Sequence, residues 1–278
     1  MILAIASGKG GTGKTTVAVN LASIFDKQVK LLDCDVEEPN AHLFLKTESP
    51  VETIVEVPVP EVDGELCNGC GECGRFCEFN AIISFGAKAI VFPEMCHSCG
   101  GCMRVCPENA ITEIDSRIGV VETSRAGHIH LVQGRLDVGH AMAPPLIRAV
   151  QACIEPGEHV IMDAPPGTSC PVITTIQDAD YVVLVTEPTP FGLHDLKLAV
   201  DMVRELDLPF GVVINRADSG DDRVHRYCRD QNIPLLLEIP DDRRIAEAYS
   251  RGERIVHALP EYRRLFEHLM ETIKAKTD

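Results

Sequence analysis

The first sixteen residues, "MILAIASGKGGTGKTT", limit what this chain can fold into more than any other stretch. A short apolar run, Met1 to Ala6, leads into a glycine-rich loop whose pattern G-x-x-x-x-G-K-T spans Gly8 to Thr15. Between a buried strand and a helix opening at Lys14, such a loop turns its backbone N–H groups toward phosphates. Lys14 can reach β- and γ-phosphates, and the Thr15 hydroxyl is a candidate Mg²⁺ ligand. The positive end of the helix dipole favours the same anion. Gly8, Gly10, Gly11, Thr12, Gly13, Lys14, Thr15 and Thr16 are therefore the candidate nucleotide contacts.

The rest of the chain repeats the strand–helix alternation. "VKLLDCD", "EHVIMDAPPG", "DYVVLVTEP", "FGVVINRAD" and "PLLLEIPDD" are apolar runs closed by polar or turn residues, with helical patterns over 14–25, 192–206 and 221–231. This predicts an α/β fold: a mainly parallel, doubly wound sheet of the P-loop NTPase kind, covered on both faces. Ligands bind such sheets at the carboxyl ends of the strands. Lys9, Asp33, Asp35, Asp163 and Asn215 all fall there. The C-terminal run "LPEYRRLFEHLMETIKAK" spaces apolar residues three or four apart, and mixed charges make packing on the sheet its expected role.

Residues 58–117 break the rhythm and read as a domain inserted into an ATPase domain of residues 1–57 and 118–278. "CNGCGECGRFCEFNAI" aligns with "CHSCGGCMRVCPENAI" 29 residues later. Each copy has the spacing C-x₂-C-x₂-C-x₃-C of two-cluster bacterial ferredoxins, in which the fourth cysteine serves the other cluster. Cys67, Cys70, Cys73 and Cys106 are then expected to hold one 4Fe-4S cluster, and Cys77, Cys96, Cys99 and Cys102 the other. Glu78 stands where a proline usually follows the cysteine. Zinc is the competing reading, but structural zinc sites pair two short hooks rather than setting four cysteines in a row. Cys34, Cys153 and Cys228 read as buried free thiols, and the histidines, including His97, His128 and His130, as packing or surface residues. His194 reads as a neighbour of a helix cap.

Composition supports an intracellular reading. A formal net charge of −16 argues against a broad nucleic-acid or anionic-membrane surface, and 5% aromatic residues do not suggest base stacking. No apolar run approaches the ~18 residues of a spanning helix. A cytoplasmic location is expected, with no nucleic-acid or membrane partner.

The early lysine of K-G-G-T-G-K-T, Lys9, makes the loop resemble the deviant P-loop of the MinD/ParA/Mrp ATPases, a group that includes the nitrogenase iron protein. The resemblance implies that ATP with Mg²⁺ binds between two subunits, as a homodimer or with a paralogue, and that Lys9 reaches the phosphates across the dimer like an arginine finger. With Lys9 and Lys14, it implies a catalytic role for Asp35, orienting the attacking water in a switch I "DCDVEEPN". Asp33 is implied near Mg²⁺. In a switch II "DAPPG", Asp163 is implied to hold Mg²⁺ through water and Gly167 to lie near the γ-phosphate. Asn215 and Pro240 match adenine-contacting positions. Cys170 stands seven residues after Asp163, at the offset of a cluster ligand in the iron protein, where the resemblance would place a third, bridging cluster. The whole chain resembles MinD-superfamily ATPases with an inserted ferredoxin domain. Three functions follow as expectations: an ATP-gated electron donor to a partner protein, an Mrp-type iron-sulfur carrier or scaffold, and a MinD/ParA-like spatial organiser with a redox sensor. The first is preferred, because fully ligated clusters favour electron transfer over donation, no membrane-targeting helix is evident and the short C-x-x-C of the Mrp branch is missing.

Overall fold

The chain passes back and forth between two compact units, described in a computed structural model for residues 1–86 and 88–277. The first unit is Met1–Val51, Glu122–Gly134 and Ile147–Asp278; the second is Glu52–Val121 and Arg135–Leu146. The chain opens with β1 (Ile2–Ala6), α1 (Lys14–Ser23) and β2 (Val29–Asp33). The middle holds β3 (Val51–Val62), α2 (Glu72–Phe76), β4 (Ile82–Phe85), β5 (Lys88–Val91) and α3 (Gly101–Arg104). Two long strands follow, β6 (Ile111–Ala126) and β7 (Ile129–Leu136), and then α4 (Ala143–Gln151) and β8 (Val160–Asp163). The remainder is α5 (Cys170–Ile176), β9 (Tyr181–Thr186), α6 (Pro190–Glu205), β10 (Phe210–Asn215), α7 (Arg223–Asp230), β11 (Leu235–Ile239), α8 (Arg243–Ser250), α9 (Ile255–Ala258) and α10 (Arg263–Thr277).

In the first unit the strands lie in the order β11-β10-β9-β1-β8-β2-β7. Those whose pairing is described run parallel. β2, β8 and β9 are buried along their whole length, as a sheet covered on both faces requires. The sheet grows outward from β1 in both directions, so its crevice opens at the ends of the central strands. A two-residue turn at Gly127 and His128 joins β6 to its neighbour β7, which makes that pair an antiparallel hairpin. On α10, Phe266, Leu269, Met270 and Ile273 are buried in the same apolar core as Val17 and Leu21 of α1. That is the packing role expected of the C-terminal helix. Thr189 caps α6, its hydroxyl accepting from the Gly192 N–H at 2.9 Å. The cap is thus Thr189 itself, five residues before His194.

The second unit begins earlier in the chain than the sequence reading of 58–117 and includes a later segment. The proline-punctuated lead-in forms the 12-residue strand β3. It ends the sheet order next to β6, and an edge is where Pro58 and Pro60, which lack an N–H, are tolerated. The 29-residue repeat recurs in the backbone. Gly69 and Ser98, Gly71 and Gly100, and Asn80 and Asn109 are three equivalent pairs, and all six residues have positive φ. Short helices α2 and α3 begin at equivalent positions of the two copies, Glu72 and Gly101. The copies also exchange hydrogen bonds crosswise: Asp63 N donates to the Ala110 carbonyl at 2.8 Å and Phe92 N to that of Ala81 at 2.8 Å. Ile82 and Ile111, equivalent positions of the two copies, pack with Cys73, Cys77, Cys102 and Cys106 in a small apolar core.

Candidate functional site

The loop after β1 is held open by glycine. Gly11 and Gly13 have φ of +77° and +96°, the left-handed region that favours glycine. Gly8 serves packing: a Cβ there would lie 2.1 Å from the backbone oxygen of Asp195 on α6. Gly10, Gly11, Gly13, Lys14, Thr15 and Thr16 line a cleft of about 670 Å³, within the usual range of ligand clefts. Asp35, Asn215 and Pro240 line it too, whereas Gly8, Lys9, Thr12, Asp33, Asp163 and Gly167 do not. The far end is formed by Ser219, Asp241, Asp242 and the α8 residues Ile245, Ala246 and Tyr249. None of these was singled out from sequence; the only local signal is the turn "EIPDD" that precedes α8.

Three carboxylates and one amine meet at the inner end. Asp33 and Asp163 are register partners on β2 and β8. Burial pushes the Asp33 carboxyl up, against the N–H groups of Ala41, Asn40 and Asp35. Those N–H groups donate to it at 2.9, 2.8 and 3.2 Å, so Asp33 pins the loop 34–41. Burial, then the Asp33 charge, pushes Asp163 well above the usual carboxylate range. One Asp163 oxygen accepts from the Thr15 hydroxyl at 2.5 Å; the other, Oδ1, is buried without a partner. An orphaned carboxyl oxygen beside a threonine hydroxyl is the donor set of a hard divalent cation, whose charge would favour the ionised form, so these residues fit Mg²⁺. Burial, and then Asp33, lifts Asp35 to about 6. Burial lowers the Lys14 amine against the opposing charges of Asp163, Asp35 and Asp33.

Lys9 lies elsewhere. Its Nζ is 3.4 Å from Glu187 Oε2, and Arg216 Nη1 is 2.9 Å from Glu187 Oε1. Glu187, at the end of β9, is only 8% exposed and was not anticipated from sequence. The Asn215 amide donates to the Thr12 carbonyl at 2.9 Å, tying β10 to the phosphate loop, while its oxygen accepts from Arg216 N at 3.1 Å. The Gly167 N–H donates to the Ser7 carbonyl at 3.0 Å.

In the second unit, Cys67, Cys70, Cys73 and Cys106 line one cavity, and Cys77, Cys96, Cys99 and Cys102 another. The first measures about 20 Å³, room for about one water; the second measures about 350 Å³. A cluster in the first would spread its thiols beyond the positions the bare chain gives them. Burial raises the thiols of Cys73, Cys96 and Cys102. Among the described residues, no three His, Cys, Asp or Glu side chains converge on one point as a single-ion site would require. A cubane, in contrast, takes its thiolates at separate corners, and four sulfurs with no carboxylate among the expected ligands are a soft donor set suited to it. Cys170 is exposed at the first residue of α5 and lines neither cavity. Cys34 and Cys228 are buried, and burial pushes Cys228 up to about 11.

Comparison with known proteins adds to this geometry. Residues 3–255 match the CobQ/CobB/MinD/ParA nucleotide binding domain. An uncharacterized protein of Methanocaldococcus jannaschii is 32% identical, the match covering 91% of this chain and 90% of that protein. An iron-sulfur cluster carrier protein of Aquifex aeolicus is 28% identical over 94% of this chain and 63% of its own length. Among solved structures, the cell division ATPase MinD of Pyrococcus furiosus superposes with a TM-score of 0.60 at 21% identity, covering 99% of this chain and 98% of that one. That last likeness is one of fold. No helix among the described residues is long and apolar enough to cross a membrane.

Proposed function

This chain belongs to the CobQ/CobB/MinD/ParA nucleotide-binding family as a P-loop ATPase of the MinD/ParA type, and we propose that it couples ATP hydrolysis to electron transfer through two 4Fe-4S clusters. In this reading, residues 58–117 form the core of an inserted ferredoxin-like domain. Cys67, Cys70, Cys73 and Cys106 hold one cluster; Cys77, Cys96, Cys99 and Cys102 hold the other. The observation that carries the reading is the sorting of eight cysteines into two cavities, four to each, with three from one copy of the repeat and one from the other. When bound, the clusters supply one-electron redox chemistry to a partner protein.

The cleft and the acids behind it support the ATPase half of this reading. The loop N–H groups and Lys14 bind the phosphates, Thr15 and Asp163 hold Mg²⁺, and Asp35 orients the attacking water. Asn215 and Pro240 border the base. ATP binding pairs two chains, and Lys9 leaves Glu187 to meet the partner's nucleotide, where its charge stabilises the departing γ-phosphoryl group. Asp33, which pins the loop 34–41, is placed to report the nucleotide state to the chain that leads into the second unit.

A second reading has a specific observation behind it: the carrier protein of Aquifex aeolicus matches nearly the whole chain. There the clusters would be cargo. One anaerobic experiment separates the two. The electron-donor reading expects about eight irons per chain and ATP-dependent reduction of an acceptor with the iron retained. Iron passing to an apo-acceptor without electron transfer would replace it with the carrier reading. Lys14→Ala should abolish either ATP-dependent process.

A further inference from the structure

Each cysteine tetrad is bridged by one further pair of side chains. In the first, Asn68 Nδ2 donates to Glu108 Oε1 at 2.8 Å, while Asn68 Oδ1 accepts from the Cys70 N–H at 3.0 Å. In the second, the rings of Phe79 and His97 lie parallel, 3.4 Å between centroids and 9° apart. The two pairs occupy equivalent positions of the repeat. Asn68 and His97 each follow the first cysteine of their copy, and Glu108 and Phe79 each stand two residues after its last. Asn68 and Glu108 line the first cavity, Phe79 and His97 the second.

We propose that these pairs are positioning residues that clip each borrowed fourth cysteine, Cys106 or Cys77, to the loop bearing the other three, and that their unlike chemistry lets the two sites be tuned separately. The inference rests on the two-cluster reading above. The fourth cysteine stands on a different loop from the other three, so beyond the crosswise backbone bonds a side-chain contact between those loops helps to set where its sulfur lies. At one site that tie is a carboxylate–amide hydrogen bond; at the other it is a stack of two rings. Carboxylates are not confined to the first site, since Glu78 and Glu113 line the second. What differs is the tie itself. Reducing a cluster adds an electron, and a nearby carboxylate opposes that added charge, so Glu108 lowers the potential of its own site.

The test uses the full chain loaded anaerobically with iron and sulfide. Glu108→Gln keeps the hydrogen bond and removes the charge. It should leave about eight irons per chain and raise the midpoint potential of one cluster in an EPR-monitored titration, with the other unmoved. Phe79→Leu should speed the loss of half of the iron to a chelator by about tenfold, the scale of losing a side chain that holds a ligand in place, and Phe79→Tyr should restore retention. Far-ultraviolet circular dichroism checks that each variant is folded. Unchanged potentials in Glu108→Gln, or wild-type iron release in a folded Phe79→Leu, would overturn the proposal while leaving the clusters in place. A wild-type chain that takes up no iron would instead overturn the cluster reading itself.

Discussion

Asp35 sits where the nucleotide cleft meets the buried acids, and its environment makes a measurable claim. Burial and the Asp33 charge lift it from an ordinary 3.8 to about 6. The folded state therefore holds this proton more tightly than the unfolded state does. The sign is that of a raised carboxyl: its stabilising contribution is complete below about pH 4 and is lost as the pH rises through about 6. The whole span is worth at most about 3 kcal/mol. Denaturant titrations of metal-free, nucleotide-free protein should show the wild type losing stability relative to Asp35→Asn between pH 4 and 7; parallel curves would show that Asp35 is not held this way. The Lys9–Glu187 pair makes a smaller claim. Lys9→Ala should lower ATP turnover by about a thousandfold or more, as loss of an arginine finger does, and abolish ATP-dependent pairing in light scattering. Glu187→Gln should ease that pairing only a few-fold, because a partly exposed ion pair is worth ~0.2–1 kcal/mol.

Among the elements, the junction of β1 with α1 has the least tolerance. The phosphate loop runs against the backbone of α6 at Gly8, where even a methyl group would overlap the Asp195 carbonyl at 2.1 Å. Backbone on both sides leaves no flexible side chain to give way. Gly8→Ala should therefore lower the melting temperature and weaken nucleotide binding together, although Gly8 does not line the cleft. Gly10→Ala meets nothing nearer than Pro166 Cβ at 4.0 Å, and should keep the fold. Comparing the two by calorimetry and nucleotide titration separates packing from binding. Asn215 belongs to the same junction: by donating to the Thr12 carbonyl it holds loop and strand together, so its truncation is expected to disturb the loop as well as the cleft it lines.

At the scale of the whole molecule, the first unit is built on an extended apolar core that runs from Leu3 to Ile273. In the second, the cysteines pack against a small apolar cluster around Ile82 and Ile111, and Val59, Ile118, Val120 and Leu146 are buried as well. A cluster built largely on the expected ligands is the kind that metal reinforces. Removing iron, or changing Cys67→Ala, should lower a thermal transition of the second unit while leaving ATP binding largely intact. One cooperative transition that moves as a whole would refute that independence.

The phosphate loop, the acid-tipped strands and the tandem cysteine spacing were all legible in the sequence, because each is a local pattern whose chemistry depends on neighbours a few residues away. The apolar runs also revealed the parallel sheet. Tertiary structure decided what depends on distant segments meeting. Glu187 takes up Lys9, 178 positions away, because β9 lies beside β1, and Asn215 reaches Thr12 across 203 positions. β3 alternates over residues 55–60 but carries two prolines, and β6 mixes polar and apolar residues; pairing with a neighbour is what makes them strands. Spacing along a chain encodes turns and local ligand sets; the order of strands in a sheet, and hence which side chains share a site, is set by packing that no short window of sequence contains.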